Sequence, residues 1–208
     1  MNELFVRLAE QIATRPDGIV LQGADTTMTV SELDCAVHAF AATLQTHGIT
    51  RLGLLAENSP GWIVADLACQ CADVCLVPLP HYFSDTQIRH GIDRAGVEAL
   101  ITNDPGRVAR VARCRPATFD GGEMYGLSLQ QLAKPRRPAL PDGTRKVTFT
   151  SGTTGAPRGV CLDTTHQLRV AQAIVTALGM TAPRHLCLLP LSTLLENVGG
   201  VYAALLAG

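Results

Sequence analysis

The 208-residue sequence predicts an α/β fold, a mostly parallel sheet flanked by helices. Three observations point there. Short apolar runs rich in Leu, Ile and Val recur between segments of helical periodicity. Two helical segments open with full capping-box pairs, Thr29 with Glu32 and Ser84 with Gln87. A third, from about Trp62 to Asp73, is apolar nearly all round, as a helix buried against a sheet is. Strands alternating with helices at this spacing build parallel sheets through right-handed crossovers.

Taken in order, Asn2 can cap a first helix whose Leu4, Leu8 and Ile12 share a face, and Pro16 ends it. Ile19 to Gln22 reads as a short strand. The second helix carries Leu33, Val37, Ala41 and Leu44 as its stripe, with Met28 and Leu33 placed as a hydrophobic staple and Gly48 as its stop. Leu52 to Ala56 is a strand, Asn58-Ser59-Pro60 starts the all-apolar helix, and Cys75 to Leu79 is the next strand. Behind Ser84, Ile88 and Ile92 continue a helical face until Gly96, before the strand Ala99 to Thr102. A short helix with Pro105 at its start and a weak strand near Thr118 follow.

Between Lys134 and Gly143, three prolines and the Arg136-Arg137 pair form the clearest linker. It divides an amino-terminal α/β subdomain, 1–133, from the start of a second, 145–208, with 134–144 between them. The second begins with a strand to Thr150, a glycine-rich loop, a return strand at Val160 to Leu162, and a helix capped by Thr164 with Gln167. That helix carries Leu168, Ala171, Val175 and Leu178 on one face and stops at Gly179.

The loop is the most informative stretch. Thr150, Ser151, Thr153 and Thr154 offer hydroxyls that donate to phosphate oxygens. Gly152, Gly155 and Gly159 allow positive φ and close backbone approach, so that successive N–H groups point into one anion-binding concavity. Pro157 stiffens the exit, and Arg158 sets a permanent charge with a planar donor fork beside it. At roughly 1.5–3 kcal/mol for each charge-assisted hydrogen bond, three or four suffice to position a triphosphate. Counting from Gly152 or Gly155 does not reach Gly-Lys-Ser/Thr, and glycines spaced three and four apart are not the dinucleotide fingerprint.

Composition narrows the classes. At 47% hydrophobic and 17% charged, with a net charge of −1, the chain has material for a core and no bias towards disorder. Arg107, Arg110, Arg113, Arg115, Arg136 and Arg137 are the only basic cluster and read as a solvated face, so no nucleic-acid partner is expected. No apolar run reaches a membrane span, Pro78 and Pro80 interrupting the longest, and the amino terminus has no signal-peptide pattern. A cytoplasmic location is expected. The seven cysteines lie mostly in apolar stretches. Cys69, Cys71 and Cys75, on one buried helical stretch, do not close a tetrahedral site and read as small core residues. His81, His90 and His185 lack partners at ligand spacing, so no metal site is expected. Trp62 reads as core, and His166 as either a phosphate neighbour or a helix-start residue held by local hydrogen bonds.

The run Thr150-Ser-Gly-Thr-Thr-Gly-Ala-Pro-Arg158-Gly-Val resembles the phosphate-binding signature of the adenylate-forming superfamily, with Arg158 where members carry Lys. The resemblance extends to Thr29-Val-Ser-Glu-Leu33, Glu57-Asn58-Ser59, Pro78-Leu79 and Thr165-His166. Leu188 to Asn197 resembles the second landmark of acyl-CoA synthetases, especially their long-chain branch, with Thr193 in place of a His and Glu196 matching. Read without the resemblance, that segment is a strand end followed by an apolar helix.

The resemblance implies an acyl-CoA synthetase reaction: a carboxylic acid attacks Mg-ATP to give an acyl-adenylate and pyrophosphate, and coenzyme A displaces AMP. ATP, Mg2+ and coenzyme A are the implied cofactors and co-substrate, and fatty acid metabolism the implied setting. Thr150 to Gly159 would hold the nucleotide, and Thr193 and Glu196 would border the acid. The adenine, ribose and magnesium segments and the carboxy-terminal domain with its catalytic Lys are not found, so an amino-terminal fragment without catalytic residues, inactive alone, is expected to need that missing region as its partner. The alternative is a non-catalytic module that binds a phosphorylated ligand or a partner. Either way, an exposed apolar patch is expected near Leu194 to Leu206.

Overall fold

The computed structural model describes residues 2–117, 124–133, 135–150 and 157–208. Helix α1 (Glu3–Thr14) is followed by the antiparallel hairpin β1 (Ile19–Gln22) and β2 (Thr27–Thr29), which forms a separate small sheet. Then come α2 (Val30–Thr46), β3 (Arg51–Leu55), α3 (Pro60–Cys71), β4 (Cys75–Pro78), α4 (Asp85–Ala95), β5 (Ala99–Thr102), α5 (Pro105–Val111), β6 (Cys114–Ala117) and β7 (Ser128–Leu132). The chain ends with β8 (Lys146–Thr150), β9 (Arg158–Leu162), α6 (Thr164–Leu178), a π-helix at Leu195–Tyr202 and α7 (Ala203–Ala207).

The larger sheet has the order β6-β7-β5-β3-β4-β8-β9. Its centre, β5-β3-β4-β8, is parallel, and antiparallel strands extend both edges. Alternate residues of the parallel strands feed two cores. Leu52, Leu54, Leu76, Ala99 and Ile101 pack with α1, α2, α3 and the carboxy-terminal helices, while Val77, Leu100 and Phe149 pack with α4 and α5. Period-two alternation with apolar residues on both faces is what a sheet covered on both sides requires.

The local signals hold where they were complete. Asn2, Thr29, Ser59 and Ser84 cap their helices, both capping boxes form, and Gly96 and Gly179 end helices in the left-handed conformation. Trp62 is core. Four readings need correction. The cap of α6 is Asp163, whose carboxylate accepts from His166 N–H, because an ionised carboxylate one residue earlier outcompetes the Thr164 hydroxyl. Leu178 lies on the exposed side of α6. Cys71 is exposed and Cys75 sits on β4, so only Cys69 and Cys75 are the buried thiols expected. No strand forms over 186–189; that stretch is open chain, tied down by side chains from elsewhere.

Strands β2 and β7 escaped the sequence reading. Ser-Leu-Gln-Gln-Leu breaks the apolar alternation with two glutamines, yet β7 pairs in register with β5, Ala99 opposite Gln131 and Thr102 opposite Ser128. Thr118 lies outside the described residues; the strand there, β6, is described from Cys114 to Ala117.

Candidate functional site

Strands β8 and β9 form an antiparallel pair with Thr150 opposite Arg158 and Phe149 opposite Gly159. The predicted loop therefore leaves and re-enters the sheet edge at one point. Ser151, Gly152, Thr153, Thr154 and Gly155 lie outside the described residues; Thr150, Pro157, Arg158 and Gly159 are described. Thr150 and Arg158 are exposed on the same rim and Pro157 is buried. Gly159 is in extended backbone and not at positive φ. It serves instead by close approach: a Cβ there would stand 3.2 Å from Val147 Cγ1 and 3.4 Å from the Phe149 ring.

His90 of α4 donates from Nε2 to the Pro157 carbonyl at 3.1 Å, fixing the loop exit against the helix. Sequence reasoning looked at His90 only as a metal ligand, and its partner lies 67 residues away. His166 is exposed and hydrogen-bonded within its own turn to Asp163.

The second landmark is built from several elements. Asn58, at the end of the β3–α3 turn, donates to Leu189 O at 2.7 Å and accepts from Leu191 N–H at 2.8 Å, clamping the Leu-Pro-Leu segment. Thr193 turns back to donate its hydroxyl to Pro190 O at 2.8 Å. Glu196, in the π-helix, points inward: one carboxylate oxygen accepts from Leu189 N–H at 2.9 Å and the other meets His185 Nε2 at 2.5 Å. Burial opposes its charge, but the Leu189 N–H, His185 and Cys187 together outweigh that and hold its carboxyl below the usual range. Spacing left His185 without a partner; folding supplies Glu196 and Cys187. The apolar patch also lies earlier than expected, at Leu186, Leu188, Leu189 and Leu195, because Val198, Val201, Tyr202, Leu205 and Leu206 are buried.

Comparison with known proteins bears on the whole of this arrangement. The model of a family described as AMP-binding enzyme matches residues 8–208. The chain belongs to that family. Among AMP-binding relatives, a plipastatin synthase of Bacillus subtilis (strain 168) is 28% identical over 171 residues, spanning 78% of this chain and 6% of that protein. Among solved structures, the O-succinylbenzoate coenzyme A synthetase (MenE) of Bacillus subtilis in complex with AMP superposes with a TM-score of 0.75 at 24% identity, covering 99% of this chain and 53% of that one. The same enzyme in complex with ATP and magnesium ion gives 0.75 at 21% identity, covering 100% and 55%. The chain thus spans about half the length of these structures, and they show that its α/β fold is that of adenylate-forming ligases. Among the described residues no helix is long and apolar enough to cross a membrane.

Proposed function

We propose that this chain supplies the ATP-gripping portion of an enzyme that activates a carboxylic acid as its adenylate, releasing pyrophosphate, and then passes the acyl group to a thiol. The observation that carries the proposal is the β8–β9 hairpin, which brings Thr150 and Arg158, the two ends of the hydroxyl- and glycine-rich loop, to one exposed rim. In this reading Thr150, Ser151, Thr153 and Thr154 hold the β- and γ-phosphates, the backbone about Gly152, Gly155 and Gly159 approaches them closely, and Arg158 neutralises the leaving pyrophosphate. Mg2+ accompanies the nucleotide, as the solved MenE complex with ATP and magnesium ion supports. Nucleotidyl transfer of this kind depends on positioning and charge neutralisation, which such a loop supplies without a general base.

Coenzyme A is the acceptor we favour, in keeping with the likeness to the MenE fold. A carrier-protein thiol is the second reading, favoured by the peptide synthetases among the relatives. The relatives give the long-chain acid branch no support, and Glu196 is engaged by His185 and Leu189. The 134–144 segment as a boundary between two subdomains, with Thr193 and Glu196 near the acid, belongs to the same proposal.

The test is carboxylate-dependent exchange of labelled pyrophosphate into ATP, with this chain alone and with it joined to any sequence its gene encodes downstream. Exchange in the longer form, silenced by Thr153→Ala with Thr154→Ala, is the expected result. No exchange with short, long or aromatic acids in either form would turn the reading to a non-catalytic module for a phosphorylated ligand or a partner.

A further inference from the structure

Among the described residues, His185, Cys187 and Glu196 bring three different metal-ligating side chains together, their ligand atoms all within 4.8 Å of one another. The pattern is invisible in sequence, because the first two lie on open chain and the third enters from a helix eleven residues after His185. The Glu196 side chain is only 6% exposed, and the Leu189 N–H holds one of its oxygens so that the other faces the imidazole.

Two further features mark this as a built site. A Cβ on Gly200 would collide with His185 Nε2 and lie 3.0 Å from Glu196 Oε1, so glycine clears the space that the pair occupies. Glu196 and Gly200 both belong to the π-helix, a rare widening of the helical turn that occurs mostly as single turns at functional sites. Access exists as well: His185 and Cys187 border a cavity of about 780 Å³ that also touches Arg15, Gln22 and Val201.

We propose that His185, Cys187 and Glu196 bind a divalent transition metal of the zinc class through an imidazole nitrogen, a thiolate and one carboxylate oxygen, with the fourth position open to the cavity. Mixed nitrogen, sulfur and oxygen donors suit Zn2+, whereas Mg2+ takes oxygen ligands only, so this ion is not the one that travels with ATP and the proposal stands apart from the proposed function. Metal–ligand bonds of roughly 2.0–2.3 Å place tetrahedral ligand atoms about 3.3–3.7 Å apart. The imidazole and carboxylate, now 2.5 Å apart, must separate by about 1 Å, a movement allowed by an imidazole on open chain. On binding, the thiol proton leaves to solvent and the imidazole keeps its proton on Nδ1. The ion then ties the 185–189 stretch to the π-helix.

The test is titration of the untagged protein with Co2+, a spectroscopic stand-in for Zn2+. One equivalent should bind, with a thiolate-to-cobalt charge-transfer band and strong tetrahedral visible bands, and Zn2+ but not excess Mg2+ should bleach both. Cys187→Ser should lose the charge-transfer band, and His185→Gln should weaken cobalt binding by about tenfold or more. Absence of the band at saturating cobalt overturns the proposal, as does a band that survives Cys187→Ser and so arises at another cysteine. If Cys187→Ser proves misfolded by metal-free circular dichroism, His185→Gln decides, since its side chain is partly exposed; cobalt affinity unchanged in that variant also overturns the site.

Discussion

Lys146 and Asp66 form an ion pair, Nζ to Oδ1 at 2.9 Å, with both side chains 2% exposed. The remaining valences are matched around them. Lys146 donates to Asn197 Oδ1 and the Tyr202 hydroxyl, while Asp66 Oδ2 accepts from Asn197 Nδ2 and the Tyr202 O–H at 2.7 Å each. Gln70 donates to the same hydroxyl. The Tyr202 phenol is accordingly pushed well above its ordinary range, first by burial and then by Asp66. The network joins α3, the π-helix and the first residue of the strand that enters the candidate phosphate loop.

Removing one partner from such a pair leaves a buried charge uncompensated. Lys146→Met is expected to lower stability by about 3–5 kcal/mol in urea unfolding, and adding Asp66→Asn should recover part of the loss. A double variant that unfolds at still lower urea than Lys146→Met would show that the pair is not coupled in this way.

The hydrogen bond from His90 to Pro157 O predicts a binding effect from a residue that touches no nucleotide. His90→Ala should weaken Mg-ATP binding by about two- to tenfold, the worth of one net hydrogen bond, by calorimetry on the nucleotide-competent protein. Equal affinities would mean that the loop exit is held without it.

Thiol chemistry should sort by burial. Desolvation pushes Cys75 up to about 11, and burial, reinforced by Asp66, raises Cys69 further, whereas Cys35 is exposed. Iodoacetamide at mildly alkaline pH should alkylate Cys35 in the native protein and reach Cys69 and Cys75 only after unfolding, as peptide mapping would reveal. Early labelling of Cys75 would contradict its place in the core.

Three surface carboxylates set the acid limb of stability. The Thr29 N–H holds the Glu32 carboxyl down, the Arg107 hydrogen bond does so for Asp85, and the His166 N–H for Asp163. A carboxylate depressed in the folded state contributes stability fully above its unfolded pKa and loses it as pH falls through the folded value. The melting temperature should therefore fall as pH drops below the ordinary carboxylate range, and Glu32→Gln should flatten that slope. A slope unchanged in Glu32→Gln and in Asp85→Asn would remove these groups from the account.

Much of the fold was legible because its signals are local. A capping box is complete within four residues, and Thr29 with Glu32 or Ser84 with Gln87 needed no tertiary information to form. The same holds for Gly96 and Gly179, whose left-handed conformations end helices whatever packs on them. Strand β7 was missed because the partner that makes Gln130 and Gln131 tolerable is β5, about thirty residues back in the chain. Lys146 was passed over at the start of a strand, since nothing near it in sequence announces Asp66.

What the sequence by itself determined is the alternation of elements, their caps, and the order of hydroxyls, glycines and cation in the phosphate loop. These depend on residues within a turn of one another. What only the tertiary structure decided is partnership across the chain: Asp66 with Lys146, His90 with Pro157, Asn58 with Leu189 and Leu191, and His185 with Glu196. A side chain meets such a partner only after sheet order and helix placement have fixed which surfaces touch, and no periodicity in the sequence encodes that choice.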